Sequence, residues 1–398
     1  MENSVIIIAE RFYPEEFGIN DLALSWAKKG YKVTVLTQVP SYPYDKIYPN
    51  YSNKFFQSEL WNGIKIYRVW TKLGYHKSWI LKVTSYIVFA ILTSFFSFFI
   101  QRRANKIFVY QTGPLTQILP AIVLKWIFKK SIYLWILDLW PDSVYAYGFK
   151  KNNLNNYLLS NFVRFAYTSC SHILVSNEGF IPKVKELCTG KPISYIPQWV
   201  PLDLNFSNAT TIPKMFGAIN FTFAGNIGKV QNLENLILGF SKIKTNKNVI
   251  FNIIGGGSNL EILKKFVESL SMKNIIFWGK IPLTEMRNWL FSSDVLIISL
   301  IDRPNFSLTV PGKFQAYLAA GKPIFCCMKG ETARLVQQHA LGITCDPENL
   351  EEIENTFINF IELSKAQHSR FANNSKRIIE TNYTFKNIEL KIESIIFN

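Results

Sequence analysis

The sequence has few acidic residues, few arginines and few cysteines for a chain of 398 residues. Arginine supplies 10 of the 44 basic side chains, and no segment has the pattern of a zinc finger, a basic zipper or an aromatic RNA-binding motif, which argues against a nucleic-acid partner. The cysteines are odd in number and form no CxxC pair or zinc-spaced cluster: Cys170, Cys188, Cys326, Cys327 and Cys345. They indicate reduced thiols in a cytoplasmic protein, and residues 4–9 are typical of a first strand rather than a signal peptide.

Histidines and metal-binding patterns are also scarce. None of the four histidines lies in a loop that follows a predicted strand: His76, His172, His339 and His368. A Ser-His-Asp hydrolase or another imidazole-based mechanism therefore has little support. The sequence has no DxD or HxH cluster, so we expect no catalytic metal and no cofactor, and the lack of a GxxxxGK[ST] segment excludes a P-loop.

Apolar residues, in contrast, make up 48% of the chain, which excludes a disordered protein. The formal net charge of +16 is unevenly distributed: residues 1–195 hold 23 basic and 11 acidic side chains, a net charge of +12, and the rest carries +4. A lysine-rich surface with interleaved apolar residues fits an anionic lipid surface at least as well as nucleic acid. The alternative is a solvated surface in a protein that is simply rich in lysine.

One uncharged run, VTSYIVFAILTSFFSFFI at 83–100, is just long enough to span a bilayer. A crossing helix would split the sheet to which the predicted strands on both sides belong. We therefore interpret the run as a helix that packs on the sheet and places one face in the membrane interface, and residues 115–130 repeat the pattern. The alternative is two ordinary buried helices. The basic residues expected at the membrane are Arg102, Arg103, Lys125, Lys129 and Lys130.

Short β-branched runs alternate with helical patterns along the chain. Strands are predicted at 5–9, 32–37, 106–111, 131–137, 172–176 and 193–196, and then at 219–225, 249–255, 275–279, 295–300 and 323–328, with helices from there to the end. This alternation predicts an α/β fold of two Rossmann-like, doubly wound domains that face a central cleft. The predicted divisions are an N-terminal domain 1–197, a linker 198–217, a C-terminal domain 218–380, and a final helix 381–398 that packs back towards the N-terminal domain.

Two loops of the first half follow strand ends and carry candidate binding residues. Gly18 allows a ligand to approach the backbone, and Asn20 or Asp21 is predicted to cap a helix whose N-terminus favours a phosphate. The second loop is acidic and aromatic, so that the Asp138 carboxylate can accept a hydrogen bond from a sugar hydroxyl and Trp140 can stack on a sugar ring. Capping of the next turn is the structural alternative for Asp138.

Two loops with glycines follow strands of the second half. The segment AGNIGKVQN at 224–232 combines Gly225, Asn226, Lys229 and Gln231 ahead of a helix, which makes it a candidate pyrophosphate site. The run GGGS at 255–258 leaves room for a nucleotide at Gly255, although a glycine-rich turn alone is a weak signal.

The most informative loop, 302–315, leads into a helix start at PGK, residues 311–313. Ser307, Thr309, Arg303 and Lys313 lie around this start, where backbone N–H groups and the helix dipole favour an anion. A simple capped loop would explain the proline but gives no reason for the two cations. The loop therefore predicts an anion site.

Taken in order, these segments resemble the bacterial glycosyltransferases of family 4, which have the GT-B fold, and are most similar to the subgroup that builds O-antigen and capsule repeat units. The matching segments are FYPEEFGINDLA, KKGYKVTVLT, VPSYP, VYQTGPLT, LWILDLWPDS, FAGNIGKVQNLENL, IIGGGS and FSLTVPGKFQAYLAAGKPI. The resemblance implies a metal-independent, retaining hexosyltransferase that is cytoplasmic and peripheral on the inner face of the cell membrane. Its implied donor is a nucleotide-sugar, preferably UDP-linked and with an N-acetylated deoxysugar among the candidates, and its acceptor is a lipid-diphosphate-linked saccharide.

By position, the resemblance places Gly18, Gly225 and Lys313 near the donor phosphates and the backbone of Ile281 near the base. The sequence also departs from the family pattern. The carboxylates of the family's EX7E pair fall on Leu308 and Ala316, the histidine before the acidic turn is Leu137, and the Arg and Lys of the donor loop are Asn226 and Gln231. The subgroup shares such replacements, which favours a variant donor site over an inactive enzyme.

The expected mechanism is electrostatic. Lys229, Arg303 and Lys313 are the candidate cations for the leaving diphosphate, a phosphate oxygen accepts the proton of the acceptor hydroxyl, and Asp138 orients the sugar or the acceptor. The candidate acceptor contacts are Asn20 and Trp140. Two alternatives are a nonhydrolysing nucleotide-sugar epimerase, which would be expected to use a histidine, and a non-catalytic nucleotide-sugar-binding protein, which the missing carboxylates suggest.

Overall fold

The computed structural model describes residues 4–75, 78–100, 104–146, 149–202, 204, 206, 209–212 and 217–397. The chain forms two compact units, one of Met1–Pro197 with Glu389–Asn398 and the other of Gln198–Ile388. Each unit is a largely parallel sheet with helices around it. Arg102 and Arg103, two of the cations expected at the membrane, lie outside the described residues.

Eight strands form the sheet of the first unit: β1 (Ser4–Ile8), β2 (Lys32–Gln38), β3 (Phe56–Trp61), β4 (Ile64–Val69), β5 (Lys106–Gln111), β6 (Ser131–Ile136), β7 (His172–Val175) and β8 (Ile193–Tyr195). Their order is β3-β4-β2-β1-β5-β6-β7-β8, and β3 alone among them runs antiparallel to its neighbour. The central β1 is buried along residues 5–8, which agrees with its continuous apolar run.

The helices of the first unit are α1 (Gly18–Lys28), α2 (Trp79–Ile100), α3 (Leu119–Phe128), α4 (Asp142–Ala146), α5 (Asn153–Ser169) and α6 (Phe180–Leu187). No side chain caps α1 at Phe17. The Asn20 side chain instead braces the preceding loop, accepting from the Tyr13 N–H at 3.0 Å and donating to the Glu15 carbonyl at 2.7 Å. The prediction that Asn20 or Asp21 caps this helix is therefore wrong.

Helix α2 has two distinct faces. Ser85, Phe89, Thr93 and Ser97, spaced by four residues, are buried within the unit. Its exposed apolar residues are Ile80, Ile87, Ile91, Phe95, Phe98 and Phe99. By length and composition, Ile80–Ile100 could cross a membrane, yet β4 before it and β5 after it belong to the same sheet. The helix therefore packs along the unit on one side and leaves the other uncovered.

The second unit has six parallel strands: β9 (Ile219–Ala224), β10 (Val249–Ile254), β11 (Ile275–Gly279), β12 (Val295–Ser299), β13 (Ile324–Cys327) and β14 (Gly342–Cys345). Their order is β11-β10-β9-β12-β13-β14. The described helices are α7 (Leu233–Ser241), α8 (Leu260–Ser269), α9 (Leu283–Ser292), α10 (Pro304–Ser307), α11 (Lys313–Ala320), α12 (Glu331–Gln338), α13 (Leu350–Ile361) and α14 (Lys365–Ile378).

The segment predicted as a linker, where it is described, is bonded to the second unit. The Val200 N–H donates to the Tyr383 carbonyl at 3.0 Å, and the Ile212 N–H donates to the Ser292 hydroxyl at 2.7 Å. The last helix, α15 (Phe385–Phe397), groups with the first unit from Glu389 onwards. There Lys29 pairs with two of its carboxylates, those of Glu389 at 2.9 Å and Glu393 at 2.7 Å.

The prediction of two doubly wound α/β domains is confirmed. The β3–β4 hairpin was not among the predicted strands, because alternating exposure gives β3 many polar residues. Its turn, Asn62-Gly63, has positive φ angles of 47° and 82° and is a strong hairpin signal that could have revealed it. The prediction of helices from residue 329 to the end is wrong at the four-residue strand β14.

Candidate active site

Apart from Gly18, the donor-binding candidates lie at the carboxyl edge of the second sheet, where the ends of four strands and the loops after them are hydrogen-bonded to one another. The Gly225 N–H donates to the Ile254 carbonyl at 3.0 Å, and the Gly255 N–H donates to the Gly279 carbonyl at 2.7 Å. The Ile301 N–H, after β12, donates to the Val230 carbonyl at 2.9 Å. Parallel strands present their carboxyl ends at one edge, which is where ligands bind in doubly wound sheets.

Gly255 has no side chain, and the space that a side chain would need is occupied by a neighbouring backbone segment. Its φ is +135°, and a β-carbon on it would overlap the carbonyl oxygen of Gly225. Gly257 is constrained in the same way by the Ile227 carbonyl. The glycine run therefore allows the loops after β9 and β10 to touch through their backbones, a packing role that the sequence pattern did not distinguish from nucleotide binding.

Lys313 brings a cation to the same edge. It is the first residue of α11, its ammonium lies 3.7 Å from the centre of the Phe223 ring, and a β-carbon built on Gly225 would be 3.1 Å from its Nζ. Burial lowers the pKa of Lys313 to about 7. Among the described residues, no carboxylate lies within ion-pair distance of it, so the charge at this helix start is available to an anion.

The other residues of the 224–232 loop differ in their roles. Asn226 and Lys229 are exposed. The Gln231 side-chain oxygen accepts from the Gly228 N–H at 2.9 Å and thereby closes the turn Lys229–Gln231. Ile281, after β11, is partly buried against the apolar core of the unit. Lys229 and Asn226 are therefore accessible to a ligand, whereas the side-chain oxygen of Gln231 is already hydrogen-bonded within the loop.

The loop after β12 is held by residues that the sequence analysis missed. Lys329 bridges Asp302 at 2.8 Å and Asp346 at 2.9 Å. A β-carbon on Gly330 would overlap the Ser307 carbonyl, and the Thr332 hydroxyl donates to the Thr309 carbonyl at 2.8 Å. These contacts fix the loop against the β13–α12 connection.

Within this loop, the Ser307 hydroxyl donates to the Pro304 carbonyl at 2.7 Å, and Arg303 is exposed at the start of α10. The structure thus places Arg303 and the backbone of the loop at the edge that carries Lys313. Leu308 and Ala316 supply no carboxylate at the two EX7E positions.

The first unit has a pocket of about 150 Å³ at the carboxyl edge of its own sheet. Its lining residues are Tyr75, Lys82, Val83, Tyr86, Ile87, Thr112, Gly113, Pro114, Thr116, Asp138, Trp140, Ser143 and Val144. Burial raises the pKa of Asp138 to about 6. The Thr116 hydroxyl in this wall is buried and has no hydrogen-bond partner in the described structure. The pocket therefore brings together a carboxyl group, a hydroxyl and aromatic rings, and it includes both Asp138 and Trp140 from the predicted sites.

The remaining candidates of the first unit are placed beside this edge. Gly18 is the first residue of α1 and is partly buried. Both polar atoms of the Asn20 amide are engaged by the loop that precedes it, as described above. Asp142 lies 3.4 Å from Lys183 and so has an ion-pair partner.

A buried charged cluster next to these residues escaped the sequence analysis. Arg11 pairs with Glu10 at 3.4 Å and with Glu15 at 3.3 Å, and all three side chains are nearly inaccessible to solvent. Burial raises the pKa of Glu10, while the guanidinium of Arg11 opposes the rise. The charged segment ERFYPEE at 10–16, shortly after β1, is the signal that could have revealed the cluster.

Comparison with solved structures agrees with this architecture. A sucrose-phosphate synthase from Thermosynechococcus elongatus superposes with a TM-score of 0.75 at 12% identity, covering 98% of this chain and 97% of that one. HepE from Anabaena, in complex with UDP, gives a TM-score of 0.69 at 10% identity and covers 99% of both chains. At such low identity these similarities show the fold alone.

Comparison of sequences adds the class of protein. Residues 217–378 match the family model described as "Glycosyl transferases group 1". A Pseudomonas aeruginosa protein described as "Probable glycosyltransferase WbjE" is 26% identical over 255 residues. These similarities support a glycosyltransferase with the GT-B fold. The WbjE match covers 62% of this chain and 61% of that protein, so the chain matches less than two thirds of this curated relative's length.

Proposed function

We propose that the protein is a retaining glycosyltransferase of family 4, in the O-antigen and capsule subgroup, that moves a sugar from a UDP-linked donor to a lipid-diphosphate-linked saccharide at an anionic membrane surface. Donor binding is supported by the position of Lys313. Its ammonium lies at a helix start beside Gly225, and no carboxylate is near it among the described residues. HepE, which shares the fold, has been solved with UDP, and this supports the choice of donor.

In the proposed mechanism the second unit stabilises the departing diphosphate. The bond between the anomeric carbon and the phosphate oxygen breaks as the acceptor hydroxyl attacks from the same face, and a phosphate oxygen accepts the hydroxyl proton. Lys313, Lys229 and the N–H groups of the loops oppose the charge that develops on the diphosphate. This scheme uses no side-chain base and no metal, and therefore does not need the EX7E carboxylates.

Asp138 is proposed to orient the acceptor in the pocket of the first unit. As a carboxylate it would accept a hydrogen bond from a sugar hydroxyl, and Trp140 in the same wall offers an apolar ring face. Because the pKa of Asp138 is raised to about 6, the group is protonated in part of the accessible pH range and loses that acceptor capacity there.

Replacing Asp138 by Asn should therefore remove a pH-dependent step. In the wild type, kcat/KM for the acceptor should rise as pH increases through about 6 and then level off, because the carboxylate forms above its pKa. Asp138→Asn should lower kcat/KM by ~10-fold or more and lack that rise. Asp142→Asn, at the first residue of α4, is the control and should keep the rise. A rise near pH 6 that survives in Asp138→Asn would assign it to another group.

The membrane part of the proposal rests on an uncovered apolar surface of the first unit. Besides the six exposed residues of α2, this surface includes Trp126 and Ile127 on α3 and Leu154, Tyr157 and Leu158 on α5. The Trp126 and Phe165 rings lie 5.7 Å apart, so α3 and α5 adjoin there. Exposed apolar residues on several helices of a unit rich in lysine are typical of a surface that binds anionic lipid.

Two of the lysines expected at the membrane donate hydrogen bonds within the unit. The ammonium of Lys130 is buried and donates to the Ala104 carbonyl, and that of Lys125 donates to the Ser169 carbonyl at 2.6 Å. Burial of the Lys130 ammonium argues against a lipid-facing role for that residue, whereas Lys125 is only partly buried and its role at the membrane stays a prediction. Lys129 is exposed at the end of α3, and this position is consistent with a contact to anionic lipid.

Replacing exposed rings should release the protein from lipid. We expect the triple variant Phe95→Ser, Phe99→Ser and Trp126→Ser to bind phosphatidylglycerol-containing vesicles at least ~10-fold more weakly in a sedimentation assay, because the rings would no longer be buried in the interface. Leu60→Ser, an exposed apolar residue on β3, is the matched control and should bind like the wild type. Equal vesicle binding by the triple variant and the wild type would contradict the membrane assignment.

The decisive test of the whole proposal is a transfer assay with UDP- and GDP-sugars and lipid-diphosphate acceptors. A glycosylated acceptor with retained anomeric configuration, formed in the presence of a chelator, is the expected result. An epimerised donor would indicate the epimerase. UDP binding without turnover on any donor would favour a non-catalytic binding protein, for which the missing carboxylates are the supporting observation.

A further inference from the structure

A group of aromatic side chains continues away from the Asp138 pocket along the loop between β2 and β3. Tyr44 is 71% exposed and Tyr42 is 37% exposed. The Tyr44 ring lies 6.3 Å from that of Tyr48, and the Tyr42 ring lies 5.7 Å from that of Phe17, just before α1. We call Tyr42, Tyr44 and Tyr48 the tyrosine loop. Neither donor binding nor the apolar surface of α2, α3 and α5 accounts for it.

Arg11 connects the tyrosine loop to the pocket. The centre of its guanidinium lies 5.4 Å from the Tyr42 ring and 5.6 Å from the ring of Tyr75, which lines the pocket. Glu10 and Glu15 already pair with this guanidinium. Arg11 therefore holds two rings at a fixed separation rather than offering a charge to a ligand. The Tyr75 and Tyr42 rings flank this guanidinium, and the exposed Tyr44 follows two residues after Tyr42, so the three rings mark a path away from the pocket.

Hydrogen bonds to its backbone also hold the tyrosine loop in place. One oxygen of the Glu15 carboxylate accepts from the N–H groups of Ser41 at 2.9 Å and Tyr42 at 2.7 Å. The Tyr48 hydroxyl donates to the Tyr42 carbonyl at 2.8 Å. Exposed rings on a backbone fixed in this way lose little entropy when a ligand covers them, so they are suited to binding.

The chemistry of the path matches a saccharide chain. A sugar ring has an apolar face of C–H groups and a polar edge of hydroxyls, and tyrosine offers an apolar face with a hydroxyl at its tip. The exposed apolar residues of α2, in contrast, are Ile and Phe, which suit lipid. We propose that the acceptor is an oligosaccharide of at least two sugars, whose terminal sugar occupies the Asp138 pocket and whose preceding sugars lie along Tyr75, Tyr42 and Tyr44. This inference rests on the proposed function.

The test varies the length of the acceptor. Short-chain lipid-diphosphate acceptors with one, two or three sugars are compared in the transfer assay with the wild type and Tyr44→Ala. We expect the wild type to use the longer acceptors with a kcat/KM ~10-fold above that of the one-sugar acceptor. Tyr44→Ala should raise KM for the longer acceptors by ~10-fold, which is the effect of losing one stacked ring, and should leave kcat and the one-sugar reaction unchanged.

Leu60→Ala is the control, because Leu60 is 72% exposed on β3 of the same unit and lies outside both the path and the apolar surface of α2, α3 and α5. It should keep the wild-type dependence on acceptor length. Equal kcat/KM for all lengths in the wild type, or an unchanged KM in Tyr44→Ala, would overturn the inference. Weaker vesicle binding by Tyr44→Ala with an unchanged KM would assign the tyrosine loop to the membrane.

Failure of the proposed function would give a different result. If no acceptor of any length receives sugar and the wild type binds no UDP, the proposed function fails. Free saccharides of one to three sugars, released from the same acceptors by mild acid, can then be titrated into the wild type and Tyr44→Ala. Tighter binding of the longer saccharides by the wild type alone would support a saccharide path even then, and equal binding would reject it.

Discussion

Lys313→Ala should reduce turnover by ~10²-fold or more, the largest catalytic effect that we expect from a single substitution. The ammonium is positioned at the start of α11, where the dipole already favours an anion, and no described carboxylate neutralises it. Its contact with the Phe223 ring lies on an apolar surface, so a charge there acts in a medium of low polarity. Steady-state kinetics with UDP-sugar, together with calorimetric titration of UDP, measures the loss.

A control at the other end of the same helix distinguishes charge from packing. Lys322 follows α11, its ammonium lies 5.2 Å from the Phe291 ring, and burial lowers its pKa as it does for Lys313. Lys322→Ala should therefore leave UDP affinity and turnover near the wild-type values. Equal losses in the two variants would mean that the effect comes from damage to the helix and not from the phosphate.

The pH dependence gives a second readout for Lys313. The side chain is cationic below its pKa of about 7 and neutral above it, and the cation is the form that attracts the diphosphate. Consequently kcat/KM for the donor, which reports the free enzyme, should fall as pH rises through about 7. Lys313→Arg keeps its charge throughout this range and should lose the fall. A wild-type profile that is flat from pH 6 to 9 would remove Lys313 from the role.

The sequence predicted the framework of both units because buried parallel strands have continuous apolar runs, such as VIIIA before the first loop. It was less informative about edge strands. In β3 the exposed face is polar, and β14 has only four residues, so neither has a distinctive apolar pattern. Both lie at the ends of their sheets, where one side lacks a partner strand.

At the candidate sites, residue type identified Lys313 and Asp138 but could not show what surrounds them. The Lys130 ammonium was expected at the surface, but it is buried and donates a hydrogen bond to the Ala104 carbonyl. Glu15 was not among the candidate residues, and its carboxylate accepts hydrogen bonds from the backbone of the tyrosine loop. In each case the deciding partner is 26 or more positions away in sequence, a contact that residue spacing does not reveal.

Gly255→Ala should be the most destabilising single methyl addition in the second unit. A β-carbon there would overlap the Gly225 carbonyl, and the φ of +135° is one that L residues rarely adopt, so both the contact and the backbone must distort. The two strains together should lower the free energy of unfolding of the second unit by at least ~3 kcal/mol. Urea unfolding followed by tryptophan fluorescence would measure the change.

Gly256→Ala is the matched control for this substitution. Its β-carbon would meet only the flexible side chain of Lys280, at 2.9 Å, and its φ lies outside the strained range. We expect near-wild-type unfolding for Gly256→Ala. We also expect UDP affinity to fall in Gly255→Ala even under conditions where it remains folded, because the displaced Gly225 backbone adjoins the Lys313 ammonium. If Gly255→Ala were as stable as Gly256→Ala and bound UDP equally well, the close contact between the loops after β9 and β10 would not be required.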